Sequence, residues 1–204
     1  MLKKFASDAL GISDIGKIID PQDYDKTQSD DYVRHEDQEE IYFLIKTKSD
    51  EYCFTNLALI HVDGESAISS KRLLKRYSYH RHPISNVMLE TAGTVDLDVE
   101  IKFQMGTVAF DIDVDKKQLE RLKDLYKSLL YIAEEVYENE SYLDMSRKSV
   151  DLAASVLHNT RPAESQLSED FARVNEYAFN WMKQNKETYV RKDFGEVFKK
   201  YILN

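Results

Sequence analysis

The chain has 204 residues, of which 42% are hydrophobic and 32% are charged, and its formal net charge is -9. This composition excludes a disordered chain, and the acidic balance argues against general attraction to nucleic acid or to an anionic membrane, because both select basic proteins. The apolar run at residues 57–62 is far too short to span a membrane. The lysines at the N-terminus are not followed by the apolar segment of a secretory signal, so we expect a cytoplasmic protein.

Residues 1–38 are predicted to be a lead-in of one or two short helices followed by a solvated loop. Phe5, Ala9, Ile12 and Ile15 have loose helical spacing, and Pro21 ends it. The second half of this segment is strongly acidic. Nine acids lie between positions 20 and 40, namely Asp20, Asp23, Asp25, Asp30, Asp31, Glu36, Asp37, Glu39 and Glu40.

From residue 39 the apolar residues recur with period 2, which indicates β-strands. The first strand carries apolar residues on both faces, so we expect both faces to be covered. Asp63-Gly64 and Gly106 mark turns. The predicted strands are residues 41–47, 51–55, 58–62, 71–79, 86–91, 95–103 and 107–112.

After the last strand the period becomes helical. Asp115 is predicted to cap a helix over residues 116–138, with Gln118 completing a capping box. Leu122, Leu129 and Ile132 lie on its apolar stripe and are predicted to pack on the strands. The order of seven strands followed by one long helix favours an α+β fold. In this fold a seven-stranded antiparallel barrel is capped by a C-terminal helix, because the exposed strand edges need a cover.

Two segments carry a family resemblance. Phe54-Thr55-Asn56 with Leu59-Ile60 and Asp63 resembles a motif of the bacterial pleckstrin-homology (PH) domain family, and so does the segment from Ile84 to Gly93 with its Glu-Thr-Ala-Gly ending. Ala58 departs from the motif, since the family usually has Arg there. The match extends over about residues 5–138, and it implies a PH-like domain at residues 39–138.

Residues 139–204 are predicted to be an all-helical extension. One apolar stripe contains Leu143, Val150 and Leu157, and the next contains Phe171, Val174, Ala178 and Trp181. A helical chain behind such a domain resembles the YvbH-like oligomerisation region. Because bacterial PH domain proteins are known as ring-forming oligomers, the resemblance implies that the chain's partner is itself, and a second protein partner stays open.

No catalytic, cofactor or metal site is predicted. The chain has one cysteine, Cys53, and its glycines are scattered rather than grouped into a phosphate-binding loop. His80 and His82 are two apart on a predicted strand, so they face the same side, but two ligands beside Arg76 and Arg81 are too few for a metal ion. We therefore expect a non-enzymatic protein.

The candidate interaction residues are Lys71, Lys75, Arg76, Arg81 and Trp181. The four cations belong to the basic strand, residues 71–81, and are hypothesised to face the acidic segment of an adjacent copy. The alternative is that the basic strand binds an anionic ligand or a membrane headgroup, although lipid binding is disfavoured by the net charge. Trp181 is predicted to lie either in the core of a small helical hairpin or at an interface.

Overall fold

The computed structural model describes residues 15–64, 72–91, 98–159 and 167–203. In these ranges the strands are β1 (Lys17–Ile18), β2 (Ile41–Lys46), β3 (Glu51–Thr55), β4 (Ala58–Gly64), β5 (Arg72–Ser78), β6 (Ile84–Glu90), β7 (Asp98–Met105) and β8 (Val108–Asp115). The α-helices are α1 (Leu119–Asn159), α2 (Leu167–Tyr189) and α3 (Gly195–Ile202). Short 3-10 helices lie at Pro21–Lys26, Asp30–Tyr32, His35–Asp37 and Lys116–Gln118.

All the strands pair antiparallel, in one sheet of order β1-β2-β3-β4-β5 and a second of order β6-β7-β8. The predicted strands and the PH-like α+β fold are confirmed, apart from residues 71 and 95–97, which lie outside the described ranges. The closed seven-stranded barrel is wrong, because the sheets are not closed into a barrel and β1 is an additional strand. Alternation of apolar residues defines strands, but it does not say which edges pair.

The lead-in joins the two sheets at Gly16. Its amide donates to the carbonyl of Asp113 (2.8 Å) and its carbonyl accepts from the amide of Asp115 (3.0 Å), which forms a parallel bridge to β8. A Cβ atom at Gly16 would lie 2.7 Å from Cγ2 of Ile45. Only glycine permits this close approach of the backbones.

The core lies between the sheets and is largely aromatic. Phe54 of the first sheet contacts Phe103 of the second, with ring centroids 6.0 Å apart, and Phe103 stacks on Phe110 at 5.0 Å. The first turns of α1 also contribute to the core. Four of its side chains are fully buried, namely Leu122, Leu125, Leu129 and Ile132, so the predicted packing of this helix is confirmed.

The lead-in covers the outer face of the first sheet, which corrects the prediction of a solvated loop. Val33 packs with Leu44, Cys53 and Ile60 in a buried apolar cluster. Ile19, Tyr24 and Ile41 pack against this cluster. The physical reason is that β2, β3 and β4 carry apolar side chains on both faces, so the face that is turned away from the second sheet also needs a cover.

The start of the long helix is as predicted at Asp115, whose carboxylate accepts from the amide of Lys117 (2.9 Å). The capping box is wrong. The side chain of Gln118 instead bonds the backbone of Ile18, accepting from its amide at 2.8 Å and donating to its carbonyl at 3.2 Å. The predicted end at residue 138 is also wrong, because no proline or glycine interrupts the helix before Asn159.

The chain divides into two compact units. The first, called here the β unit, contains the residues up to Ala133 and those from Lys192 onward, and the second, called here the helical arm, is Glu134–Arg191. In the β unit, α3 packs on β2, where Phe198 stacks on Tyr42 with centroids 5.5 Å apart. The predicted domain boundaries at residues 38 and 138 stay predictions. No helix among the described residues is long and apolar enough to cross a membrane.

Candidate functional site

Two cations of the basic strand are paired within the chain. Lys75 on β5 donates from Nζ to Asp63 on the neighbouring strand β4 (2.5 Å). Arg76 donates from Nη2 to the carboxylate of Glu39 (2.8 Å), which lies in the acidic segment two residues before β2 begins. The sequence led to the hypothesis that these cations face the acidic segment of an adjacent copy, whereas Arg76 and Glu39 are paired inside one copy.

The Glu39 carboxylate is fully buried and heavily hydrogen-bonded. Besides Arg76, it accepts from the hydroxyl of Thr55 (2.6 Å) and from the amide of Arg34 (3.0 Å). Burial by itself raises the pKa of Glu39, but these hydrogen bonds together outweigh burial and hold its pKa below the ordinary value. The pair therefore fixes the lead-in to the sheet, and its charges are not available to another molecule.

The other predicted cations have different surroundings. Lys71 lies outside the described residues. Arg81 is exposed in the turn between β5 and β6, and no carboxylate among the described residues pairs with it. The pKa of His80 is lowered, first by burial and then by the positive charges of Arg81 and Lys192. Lys192 therefore lies near the same turn. Within residues 72–81, this turn therefore keeps an exposed positive charge at Arg81.

His80 and His82 lie in this turn rather than on a strand, since β5 ends at Ser78. The premise that they face one side of a strand is therefore wrong. Nδ1 of His82 is 3.2 Å from the carbonyl oxygen of Ser78, and its ring packs edge-on against Tyr77 with centroids 5.5 Å apart. These contacts account for the position of the His82 ring without invoking a metal ion.

Two clusters of ionisable side chains were missed by sequence reasoning. Asp50, His61 and Asp63 bring their ligand atoms within 4.8 Å of one another. Each already has a partner, because His61 is 3.0 Å from Asp50 and Lys75 bonds Asp63. The only signal in the sequence was the position of these residues at the open end of the predicted β3–β4 hairpin.

The second cluster, Glu100, Asp111 and Asp113, lies on β7 and β8. The ammonium group of Lys102 is 2.5 Å from Glu100 and 3.8 Å from Asp111. Hydrogen bonds to Glu100 and Glu90 raise the pKa of Lys102, which favours its charged form. The lysine thus supplies the positive charge that a metal ion would bring, and both clusters are ordinary ion-pair networks.

The helical arm differs from the β unit in its exposed apolar surface. The α2 stripe, defined as Phe171, Val174, Ala178 and Trp181, contains side chains with large exposed fractions: Phe171 70%, Val174 44% and Trp181 36%. Large apolar side chains beside the stripe are exposed as well, namely Tyr177, Phe179 and Met182 on α2 and Tyr137, Tyr142, Met145 and Leu152 on α1. Trp181 is therefore partly exposed in one copy rather than fully buried.

The aromatic residues of the C-terminal segment differ in burial, because Phe198 is fully buried in the β unit while Phe171 and Phe179 are exposed on α2. At its base the arm is held by Arg191, whose guanidinium bonds both carboxylate oxygens of Glu135 (2.8 and 2.7 Å), and by Tyr142 stacked on Tyr189 at 5.3 Å. Away from the base, Phe171 and Val174 of the stripe are exposed in the described part of the chain.

Comparison with known proteins identifies the family of the β unit and of the tail. The model of the bacterial PH domain matches residues 9–133 and that of the YvbH-like oligomerisation region matches residues 144–204. The chain belongs to the bacterial PH domain family, and its tail matches that oligomerisation region. It is 62% identical to "Uncharacterized protein YvbH" of Bacillus subtilis (strain 168) over 204 residues, which is 100% of both chains.

A solved structure confirms the fold. The crystal structure of a PH domain-containing bacterial protein from Exiguobacterium sibiricum 255-15 is 51% identical, with a TM-score of 0.85 over 93% of this chain and 100% of that one. A DUF1696 family protein with a PH domain from Shewanella loihica PV-4 is 19% identical, with a TM-score of 0.46 over 58% of this chain and 97% of its own.

Proposed function

We propose that this protein is a non-enzymatic, self-assembling interaction module, in which the helical arm joins copies of the chain and the β unit is the folded body that the arm connects. The observation that carries the proposal is the exposed α2 stripe, in which Phe171 is 70% exposed. This stripe lies inside the segment that matches the YvbH-like oligomerisation region. A cytoplasmic location stays a prediction.

The amount of exposed apolar surface supports assembly. Ten large apolar side chains of the arm are at least 36% exposed. At roughly 100 Å² each, they present on the order of 1,000 Å² per copy. These side chains lie on more than one face of the arm, so a single interface would cover part of this total, and a stable interface buries about 800 Å² per partner. The arm is therefore better suited to an interface than to solvent.

The pairing of charged groups supports a non-catalytic role. A general acid, base or metal ligand has to be available to a substrate. In the described part of the chain, the two clusters of possible metal ligands are paired with Lys75, His61 or Lys102. The buried Cys53 has its thiol pKa raised by burial, which disfavours the nucleophilic thiolate.

The experiment is the mass of the particle in solution, measured by light scattering after size exclusion, for the wild type and two serine variants. Phe171→Ser removes an aromatic ring from the α2 stripe. Phe179→Ser removes the same ring from a position that is 62% exposed and is turned roughly 80° around the helix. We expect an oligomer for the wild type and for Phe179→Ser, and dissociation at the same concentration for Phe171→Ser. A single-chain mass for the wild type would refute the proposal.

A further inference from the structure

The apolar positions of the arm follow a heptad spacing. In α2, Leu167, Phe171, Val174, Ala178, Trp181 and Asn185 are separated by alternating steps of four and three residues. In the distal half of α1, Leu143, Ser146, Val150, Ala153 and Leu157 follow steps of three and four. A repeat of 3.5 residues is typical of helices that pack side by side in a coiled coil, with these positions at the seam.

The base of the arm sets which residues of the two helices share a level. Tyr142 on α1 stacks on Tyr189 on α2, with centroids 5.3 Å apart. Glu135 on α1 bonds Arg191, and the later residue Tyr142 contacts the earlier residue Tyr189. At the base, positions that advance along α1 therefore meet positions that recede along the second segment, which indicates an antiparallel arrangement there. Four residues outward from Tyr142 is Ser146, and four backward from Tyr189 is Asn185. The two polar seam positions therefore fall at the same level.

Ser146 is unusual among the serines of this helix. Its side chain is buried with 8% exposure, and its Oγ has no hydrogen-bond partner among the described residues. Ser128 and Ser155 on the same helix donate to the carbonyl four residues back, at 2.8 and 3.0 Å, which is the usual arrangement for helical serine. A buried hydroxyl without a partner is costly, so a single copy leaves Ser146 unsatisfied.

Asn185 provides complementary chemistry at this level. Its side chain is half-buried, and Nδ2 donates to the carbonyl of Trp181 (2.8 Å). The carboxamide oxygen is left to accept a hydrogen bond. An amide both donates and accepts, so Asn185 of one copy can pair with a serine hydroxyl or with another Asn185. A second copy of the chain offers both groups, whereas an unrelated partner would need a matching polar group at the same height.

We propose that Ser146 and Asn185 form a polar layer that selects the number and alignment of copies when the α2 stripe packs against a second copy of this chain. This inference rests on the proposed function. A polar residue at a seam position lowers the stability of a coiled coil but penalises the alignments that place it against apolar side chains. The apolar seam residues supply affinity, and the polar layer supplies specificity.

The test is native mass spectrometry on full-length Asn185→Leu, with Asn180→Leu as the matched control. Asn180 is exposed on the same helix, roughly 140° around from Asn185. We expect one stoichiometry for the wild type and the control. Asn185→Leu should dissociate at about tenfold lower concentration and distribute over more than one stoichiometry, because the apolar seam no longer penalises other alignments. Ser146→Ala should shift both readouts in the same direction but less.

The outcomes separate this inference from the proposed function. If the wild type forms an oligomer and both Asn185→Leu and Ser146→Ala keep its single stoichiometry and its dissociation concentration, the polar layer has no role, and the self-assembly proposal stands. If the wild type has the mass of one chain at every concentration, both proposals fail. Broadened stoichiometry in Asn180→Leu as well would also overturn the inference, since the effect would not be specific to the seam.

Discussion

The β unit and the helical arm use apolar residues in opposite ways. In the β unit, even the second face of the first sheet is covered, because Val33 and Tyr24 of the lead-in pack over Cys53 and Ile60. In the arm, Phe171 is 70% exposed and Tyr177 is 72% exposed. One chain therefore contains a part that completes its own core and a part that does not. The difference supports the proposal that the arm is covered by another copy.

The largest expected effect concerns the buried ion pair of the β unit. Replacing Arg76 by Met leaves the buried Glu39 carboxylate with only the longer ion pair to Arg34 (3.6 Å), which should lower the free energy of unfolding by up to about 3–5 kcal/mol. Lys75→Met is the control, because its pair with Asp63 is one-third exposed and should contribute only about 0–1 kcal/mol. Urea denaturation of both variants measures the difference. Equal, small losses would mean that the Glu39 pair does not fix the lead-in.

The next effect concerns Trp181. Because this side chain is 36% exposed in one copy, Trp181→Ala should change the stability of the β unit by no more than about 0.5 kcal/mol. In the assembly, where it is proposed to be buried, the same change should cost about 2 kcal/mol or more of association free energy. Sedimentation at a series of concentrations measures association, and thermal denaturation measures the β unit. Loss of β unit stability without loss of association would contradict the contrast between a self-covered β unit and an arm that is covered by another copy.

Acid should weaken the β unit through its buried carboxylates. In Glu39, Asp50 and Glu51, burial raises the pKa, but hydrogen bonds outweigh burial and lower each pKa from ordinary values of 4.5, 3.8 and 4.5. A lowered folded-state pKa adds stability that is present above the ordinary value and is lost as the pH falls through the folded-state value. We therefore expect the urea midpoint to fall below about pH 4.5. Glu39→Gln should show a shallower decline, and a midpoint that rises in acid would contradict this account.

The smallest effect is expected at Arg81. Since Lys75 and Arg76 are paired within the chain, Arg81 is, among the described residues, the predicted cation best placed to contact carboxylates of a neighbouring copy. One exposed pair contributes about 0–1 kcal/mol and is screened by salt. Arg81→Glu should therefore weaken association by no more than about fivefold at low salt, and the difference from the wild type should vanish at high salt. A salt-independent loss would mean that Arg81 is buried in the interface.

Sequence patterns predicted the strands and the first half of α1 because these elements have regular periods and turn residues. They did not predict the cover formed by the lead-in, since Val33 and Tyr24 belong to no repeating pattern and are placed by the apolar face that they cover. The pairing of Glu39 with Arg76 was missed for a similar reason, because the two residues are 37 positions apart. The α2 stripe was predicted, but periodicity cannot tell whether the same copy or another one covers it.

Trp181 offers the most direct test, because it is the single tryptophan of the chain and lies on the α2 stripe. Its fluorescence and its quenching by acrylamide report on burial at that position alone. The wild type should be compared with Phe171→Ser at equal concentration, with light scattering on the same samples. We predict emission at shorter wavelength and weaker quenching for the assembled wild type than for the dissociated variant. Equal quenching in assembled and dissociated protein would contradict the claim that the arm joins the copies through this surface.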